Sequence, residues 1–295
     1  MSVLAFQNIH RTYRAGEEVL SGVSLSIEEG EVVGLLGRNG AGKTTLIHIA
    51  LGMIRAQEGM VRVFGLDPEK DPVAIKRRVG FVSENQILPP AMKVSGILEM
   101  HRELFPTWDR EFERALRQRF SFSEKTRVKA LSKGQARQLA LLCAVAHRPE
   151  LLLLDEPAGG LDPAARRSFL EAAIQLLSES GTAILFSSHH MADVERMAAR
   201  VVLLEDRRVL IDRDLDELRE NSVLAILPAG ADASAVAGLP GCVRARTHEG
   251  AVRAVFAGSP DAVALQLHDR LGGREVHCQH VQLEDLFVEL VGADS

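Results

Sequence analysis

Apolar and polar positions follow three different rhythms along the chain. Leu151-Leu152-Leu153-Leu154 has no polar alternation, the pattern of a strand buried on both faces of a parallel sheet, and it runs into Asp155-Glu156-Pro157. Val32-Val33-Gly34-Leu35-Leu36 reads as a second apolar strand. Alternation with period two predicts an edge strand over Val3-Leu4-Ala5-Phe6, continuing into Gln7 and Asn8, and another over 20–27. Further strands are expected at 59–65, 79–84, 182–186, 201–204 and 208–211. Between Pro89 and about Ala130 the rhythm becomes helical, with Trp108, Phe112, Ala115, Leu116 and Arg119 in register and charges dense around them. That stretch predicts a small helical subdomain, with Phe105, Trp108, Phe112, Phe120 and Phe122 as its core. An amphipathic helix from Ala136 to His147 follows. The fold class is α/β: a mixed sheet with a helical subdomain inserted at about 89–147.

A second pattern starts near Asn221. A strand (Val223 to Leu227), a short helix near Ala233, strands Cys242 to Thr247 and Val252 to Ala257 around a Glu249-Gly250 turn, a helix from Asp261 to Leu271 and a strand from Glu275 to Val281 give the order βαββαβ. This predicts a small ferredoxin-like α+β domain at 221–295 beside a first domain at 1–220. Leu283, Leu286, Phe287 and Leu290 then recur at i, i+3, i+4 and i+7, one apolar helix face.

Composition narrows the function classes. A net charge of −5 and a pI near 6.1 supply no strong field for nucleic acid. In the C-terminal domain Arg244, Arg246, Arg253, Arg270 and Arg274 face nine carboxylates between Asp232 and Asp294, so charge does not make it a nucleic-acid binder either. Cys143, Cys242 and Cys278 lie far apart with no CxxC pair, which fits a reducing compartment and indicates neither a disulfide framework nor a zinc ribbon. No apolar run approaches the roughly eighteen residues that span a bilayer, and no signal-peptide core is evident, so any membrane role is expected to come through a partner.

Chemistry concentrates after the Val32 strand. Gly37-Arg38-Asn39-Gly40-Ala41-Gly42-Lys43-Thr44-Thr45 joins that strand to a helix, the context of a phosphate-binding P-loop. Glycines let backbone N–H groups converge on phosphate and the helix N-terminus adds partial positive charge. Lys43 then reaches the β- and γ-phosphates, and the Thr44 hydroxyl ligates Mg²⁺. At the end of the leucine strand, Asp155 is placed to hold Mg²⁺ through its water shell and Glu156 to act as general base on the attacking water. Gly159-Gly160-Leu161-Asp162-Pro163 turns into a helix, with Asp162 as N-cap and Pro163 at its first position. Ser187-Ser188-His189-His190 ends another strand, where His189 can hydrogen-bond a γ-phosphate. Tyr13, the only tyrosine, is either an exposed loop residue or an adenine-stacking ring. His277-Cys278-x-His280 puts only Cys278 and His280 on one strand face, which is too few ligands for a metal site.

In this order the P-loop, Leu131-Ser132-Lys133-Gly134-Gln135 ahead of the leucine strand, Asp155-Glu156, the Gly-Leu-Asp turn and the Ser-His pair resemble the nucleotide-binding subunit of an ABC transporter. The resemblance covers roughly residues 3 to 215. It implies an ATPase whose subunits pair head to tail, each ATP lying between the P-loop of one and the signature residues Leu131 to Gln135 of the other. Ser132 and Gly134 then contact the γ-phosphate across the interface, Asp162 belongs to the D-loop, His189 is the switch histidine and Tyr13 stacks on adenine. Three positions depart from the family pattern. Glu84 stands where a glutamine coupling Mg²⁺ to the membrane partner is usual, with Gln86 two residues on; Lys133 replaces a signature glycine; Ala158-Gly159-Gly160 precedes Leu161. Glutamate at position 84 resembles the branch serving ABC-2-type exporters of drugs and antimicrobial peptides. The implied partners are an integral membrane permease and a second ATPase subunit, identical or paralogous, with docking through Ile87, Leu88 and Met92 and a location on the cytoplasmic face of the plasma membrane. The 221–295 domain is expected to help subunits associate or to tune the cycle.

The competing class is a soluble ABC-type ATPase acting on DNA or ribosomes. Long coiled coils or two ATPase units in one chain would mark it, and the sequence has one P-loop and no sustained heptads. A P-loop switch with little hydrolysis is disfavoured by the intact Asp155-Glu156 pair.

Overall fold

The computed structural model describes residues 2–13, 16–85, 88–120, 122–162, 165–167, 169–170, 173, 181–228, 230–248, 250–270 and 276–291. The readings made above for Gln86, Ile87, Pro163, Glu249, Leu271, Arg274, Glu275 and Asp294 lie outside the described residues. The chain forms two compact units, Met1–Ala198 with Val202–Val209, and Ala199–Val201 with Leu210–Ser295. The division falls at Leu210, ahead of the boundary read at 220/221.

The first unit opens with β1 (Ser2–Thr12), β2 (Glu18–Glu28) and β3 (Val32–Leu36), then α1 (Lys43–Ala50), β4 (Glu58–Val63), α2 (Pro72–Lys76) and β5 (Val79–Val82). β1 is not the edge strand expected. β2 and β4 pair antiparallel on its two sides, in the order β2-β1-β4. Alternation reports that one face is covered, here by burial of Leu4, Phe6 and Ile9, and is silent on how many neighbours a strand has.

The helical subdomain follows as α3 (Val94–Leu104), α4 (Arg110–Phe120), a 3₁₀ turn (Val128–Ala130) and α5 (Lys133–Val145). Its aromatics do not form the single core expected. Phe120 and Phe122 are buried together, whereas Phe105 stacks on His147 at 4.0 Å, Trp108 leans on His101, and Phe112 lies beneath Arg148. Trp108 precedes α4 and donates its indole N–H to buried Glu113 at 2.9 Å. Arg102 forks onto the same carboxylate at 2.8 and 2.7 Å. Burial alone raises the Glu113 pKa, but Arg102, Trp108 and Arg117 outweigh it and hold the group below its ordinary value. A helix that carries this many charges thus anchors through one saturated carboxylate. Leu88, expected at a docking surface, is buried, and Met92 is half-buried.

β6 (Leu151–Leu154) and β7 (Ala183–Ser188) return to the sheet, followed by the helix Met191–Met197, β8 (Arg200–Glu205) and β9 (Arg208–Asp214). The six strands run β5-β6-β7-β3-β8-β9. β5, β6, β7 and β3 are parallel neighbours, as the unbroken leucine run implies. All four leucines of β6 are at most 1 % exposed, each contributing about 1.5–3 kcal/mol of burial. Parallel pairing brings the C-terminal ends of β3, β5, β6 and β7 to one edge, the edge where such sheets bind ligands.

In the second unit, the helix Leu215–Asn221 precedes β10 (Ser222–Leu227), the helix Ala233–Ala237, β11 (Cys242–His248), β12 (Ala251–Ala257), the helix Pro260–Arg270, β13 (His277–His280) and the helix Leu283–Val291. The four strands are antiparallel in the order β11-β12-β10-β13, the ferredoxin-like arrangement read from the βαββαβ pattern. Cys278 packs against the apolar core of this unit while His277 and His280 are exposed, and no metal-holding cluster occurs among the described residues.

His147, 2 % exposed behind Phe105, is expected to make the first unit acid-sensitive. Burial pushes its pKa from 6.5 down to about 4. The unfolded chain takes up this proton near pH 6.5 and the folded one only near pH 4, so the contribution is complete above 6.5 and is lost as pH falls through that window. Integrated, the loss is about 3 kcal/mol. Urea denaturation at pH 7 and pH 4.5 is expected to show this fall, and His147→Phe, which keeps a ring against Phe105, is expected to remove most of it.

Candidate functional site

Between Leu36 and Lys43 the chain must reverse from strand to helix in six residues. Gly42 takes φ +103°, and a Cβ there would sit 2.7 Å from the Leu20 side chain, so both conformation and space demand glycine. Lys43 is buried and folds back over the loop, donating to the carbonyls of Gly37 at 2.6 Å and Arg38 at 3.1 Å. Its Nζ also lies 3.2 Å from Glu156 Oε1. Thr44 Oγ1 donates to Asp155 Oδ1 at 3.1 Å, and Thr45 Oγ1 lies 3.1 Å from the Tyr13 hydroxyl. Tyr13, 38 % exposed, therefore stands at the P-loop rather than free on its loop, with Arg11 over its ring. A 420 Å³ cavity opens here, bounded by Tyr13, Arg38 to Gly40, Gly42 to Thr45, Glu84 and Glu156. Ala41 instead packs toward the core.

The two carboxylates are held differently. Asp155 Oδ1 accepts from Thr44 and, at 2.8 Å, from the fully buried Ser187 hydroxyl. The same Ser187 oxygen accepts the Glu156 N–H at 2.8 Å. Glu156 sits at φ +44°, a backbone position that disfavours a side chain, and the Ser187 bond and the Gly159 N–H on its carbonyl keep it there. Its carboxylate lies between Lys43 and His189, whose Nδ1 is 2.9 Å from Glu156 Oε2. Beside it, burial together with Arg166 and His189 holds the His190 imidazole below its ordinary pKa.

The signature residues do not line this cavity. Ser132 caps α5 with its side chain accepting the Gln135 N–H, while the Gln135 side chain accepts the Ser132 N–H. Lys133, Gly134 and Gln135 are thus the first turn of α5 rather than a loop before it, a start that the Ser-x-x-Gln capping pattern marks. The Ser132 hydroxyl keeps its proton for a further acceptor. Lys133, Gly159, Gly160, Glu84 and Arg137 border a second cavity of 510 Å³. Asp162 is exposed and caps the next helical turn through Ala165 at 3.0 Å.

Sequence reading missed Ser187 and Arg137. Ser187 belongs to a Ser-Ser pair with nothing to distinguish its members before the strand direction is known. Arg137 is buried and donates to the carbonyls of Ser83, at 2.5 Å, and of Glu84, fixing the loop that carries Glu84. A charge within the otherwise apolar face of α5 was the available signal.

Comparison with known proteins points to one family. A family model described as ABC transporter matches residues 20–159. The ABC transporter ATP-binding protein YtrB of Bacillus subtilis (strain 168) is 35% identical over 208 residues, covering 70% of this chain and 71% of that protein. Nod factor export ATP-binding protein I of Rhizobium etli is 31% identical over 304 residues, covering 100% and 95%. Among solved structures, an ATP-binding subunit of an ABC transporter superposes with a TM-score of 0.67 at 28% identity, over 74% of this chain and 92% of that one. The dimeric bacterial ABC transporter cassette MJ0796 shares the fold, with a TM-score of 0.62 at 23% identity over 72% and 98%.

Arg137→Met is expected to release the Ser83 and Glu84 carbonyls and let the Glu84 loop drift from the 420 Å³ cavity. ATP hydrolysis should fall about tenfold, ~1.4 kcal/mol, with Arg137→Lys intermediate. ATP affinity, measured by fluorescence titration, should change less than about twofold, because no P-loop contact is lost.

Proposed function

The chain belongs to the ABC transporter ATP-binding subunits and is an ATPase, and from that premise we propose that it powers an exporter through a head-to-tail pair of subunits docked on an integral membrane permease. Subunits of this family work with membrane permeases and form dimeric cassettes. Among the described residues no helix is long and apolar enough to cross a membrane. The subunit would sit on the cytoplasmic face, held there by the permease. Export is supported by the full-length similarity to the Nod factor export protein. Docking would use the loop that carries Glu84, with half-buried Met92 near it in sequence.

The observation that carries the catalytic reading is Glu156, with one oxygen toward Lys43 and the other toward His189 at the wall of a P-loop cavity. ATP lies with its phosphates on the backbone from Gly37 to Thr45 and its adenine against Tyr13. Lys43 neutralises the β- and γ-phosphates, a charge attraction that competes with Glu156 for the ammonium group. Glu156 accepts the proton of the attacking water as the oxygen attacks the γ-phosphorus and the bond to the β–γ bridging oxygen breaks. His189 orients the Glu156 carboxylate and reaches the γ-phosphate. Ser132 and Gly134 of the opposite subunit complete the site with a hydroxyl proton and a helix N-terminus.

Thr44 Oγ1 and Asp155 Oδ1, in hydrogen-bond contact at 3.1 Å, together with Glu84, which lines the same cavity as Thr44, offer the hard oxygen donors that Mg²⁺ takes. Bound there, Mg²⁺ would supply charge neutralisation at the β- and γ-oxygens. Loss of the γ-phosphate removes the group that both subunits hold, and the pair opens.

Glu156→Gln is expected to lower hydrolysis about 100-fold or more while leaving ATP binding within about twofold. Trapped with Mg²⁺-ATP in membranes of its own organism and extracted in mild detergent, this variant should co-purify with a polytopic membrane protein. Recovery of ribosomes or DNA-bound proteins instead would contradict the transport reading.

A further inference from the structure

Asp162 and His189 stand on different loops, yet the residues one turn beyond each are joined. Asp162 opens a helical turn, its carboxylate accepting the Ala165 N–H at 3.0 Å and its carbonyl the Arg166 N–H at 2.9 Å. His190 precedes the helix Met191–Met197, and Asp193 lies in the first turn of that helix. Arg166 grips Asp193 with two donors, Nε to Oδ1 at 2.8 Å and Nη2 to Oδ2. Asp193 is 6 % exposed. Ser188 extends the link to the strand end, with its hydroxyl 3.1 Å from Asp193 Oδ2 and accepting the His190 N–H at 3.0 Å. The backbone after His189 is thereby fixed from Asp193, and Asp193 is fixed from Arg166.

We propose that the Arg166–Asp193 pair couples the Asp162 loop to His189, so that a shift of that loop repositions the imidazole that orients Glu156 in the same subunit. The inference rests on the reading that Asp162 faces the partner subunit's nucleotide in a head-to-tail pair. A two-pronged Arg–carboxylate contact fixes orientation as well as distance, so the two short segments move as one body. At the far end, His189 Nδ1 lies 2.9 Å from Glu156 Oε2, and a displacement of about 1 Å is enough to spoil such an alignment. Nucleotide state at one site thus reaches the base of the other, and hydrolysis by the pair is cooperative. Neither Arg166 nor Asp193 borders the 420 Å³ cavity, so both are positioning residues.

The test uses the full chain and ATP titrations of hydrolysis for the wild type, Arg166→Gln, Asp193→Asn, the reversed pair Arg166→Asp with Asp193→Arg, and Arg166→Lys, which keeps the charge and loses the fork. The wild type should show a Hill coefficient above 1 and each single neutral variant a value of about 1, with half-saturation moved less than about twofold. The reversed pair should recover part of the cooperativity, and Arg166→Lys should fall between. A bridge that only stabilises the fold would lower Tm and leave the Hill coefficient unchanged, which would overturn the proposal, as would a non-cooperative wild type. The mass of Glu156→Gln with Mg²⁺-ATP separates the two claims. A dimer with unchanged Hill coefficients overturns the coupling alone, whereas failure to dimerise overturns the paired-site reading and the coupling with it.

Discussion

One buried hydroxyl organises the edge of the sheet beside the P-loop. Ser187, at the end of β7, donates to the Asp155 carboxylate and accepts the backbone N–H of Glu156, so the two acidic residues that follow β6 are tied to a single neighbour on the adjacent parallel strand. Thr44, at the start of α1, closes on the same Asp155 oxygen. Three chain segments remote in sequence meet there, and the register of β3, β7 and β6 decides that they do. The leucine run of β6 is therefore more than core. Its burial on both faces holds the strand inside the sheet, between β5 and β7, and there Asp155 reaches Thr44 and Glu156 reaches Lys43.

From this edge the parts of the first unit acquire distinct tasks. The P-loop brings Lys43 over its own carbonyls, while Glu156, at a strained backbone position, sets its carboxylate between Lys43 and His189. Around it, α5 contributes in two ways: its capped N-terminus presents Ser132, and Arg137 fixes the loop of Glu84. A helix that carries both groups gives the helical subdomain a hold on a loop of the P-loop cavity. The second unit is built as an antiparallel ferredoxin-like sheet with its own apolar core.

Most of the α/β core was legible because burial leaves a periodic trace. The leucine strand, the P-loop and the βαββαβ pattern each encode geometry in local residue choice. The middle position of β1 was not legible, since period two records faces and not neighbours. The supposed aromatic core failed for a related reason: Trp108 and Phe112 satisfy themselves on Glu113 and Arg148, polar partners that no hydrophobic count anticipates. In the site, the residues of the P-loop and the Asp155-Glu156 pair stood out by motif. Those that hold them, Ser187, Arg137, Arg166 and Asp193, act through tertiary contacts whose spacing in sequence carries no period.

The central claim is that a complete site needs the P-loop of one subunit and the signature turn of another. It is tested most directly by mixing two inactive variants, Lys43→Ala, which spoils the P-loop, and Ser132→Arg, which spoils the signature. Each alone should hydrolyse ATP at background rate, and the mixture should recover activity, because a mixed pair contains one intact Lys43 facing one intact Ser132. Absence of recovery in a mixture shown to contain mixed pairs, or full activity of Ser132→Arg by itself, would contradict the account.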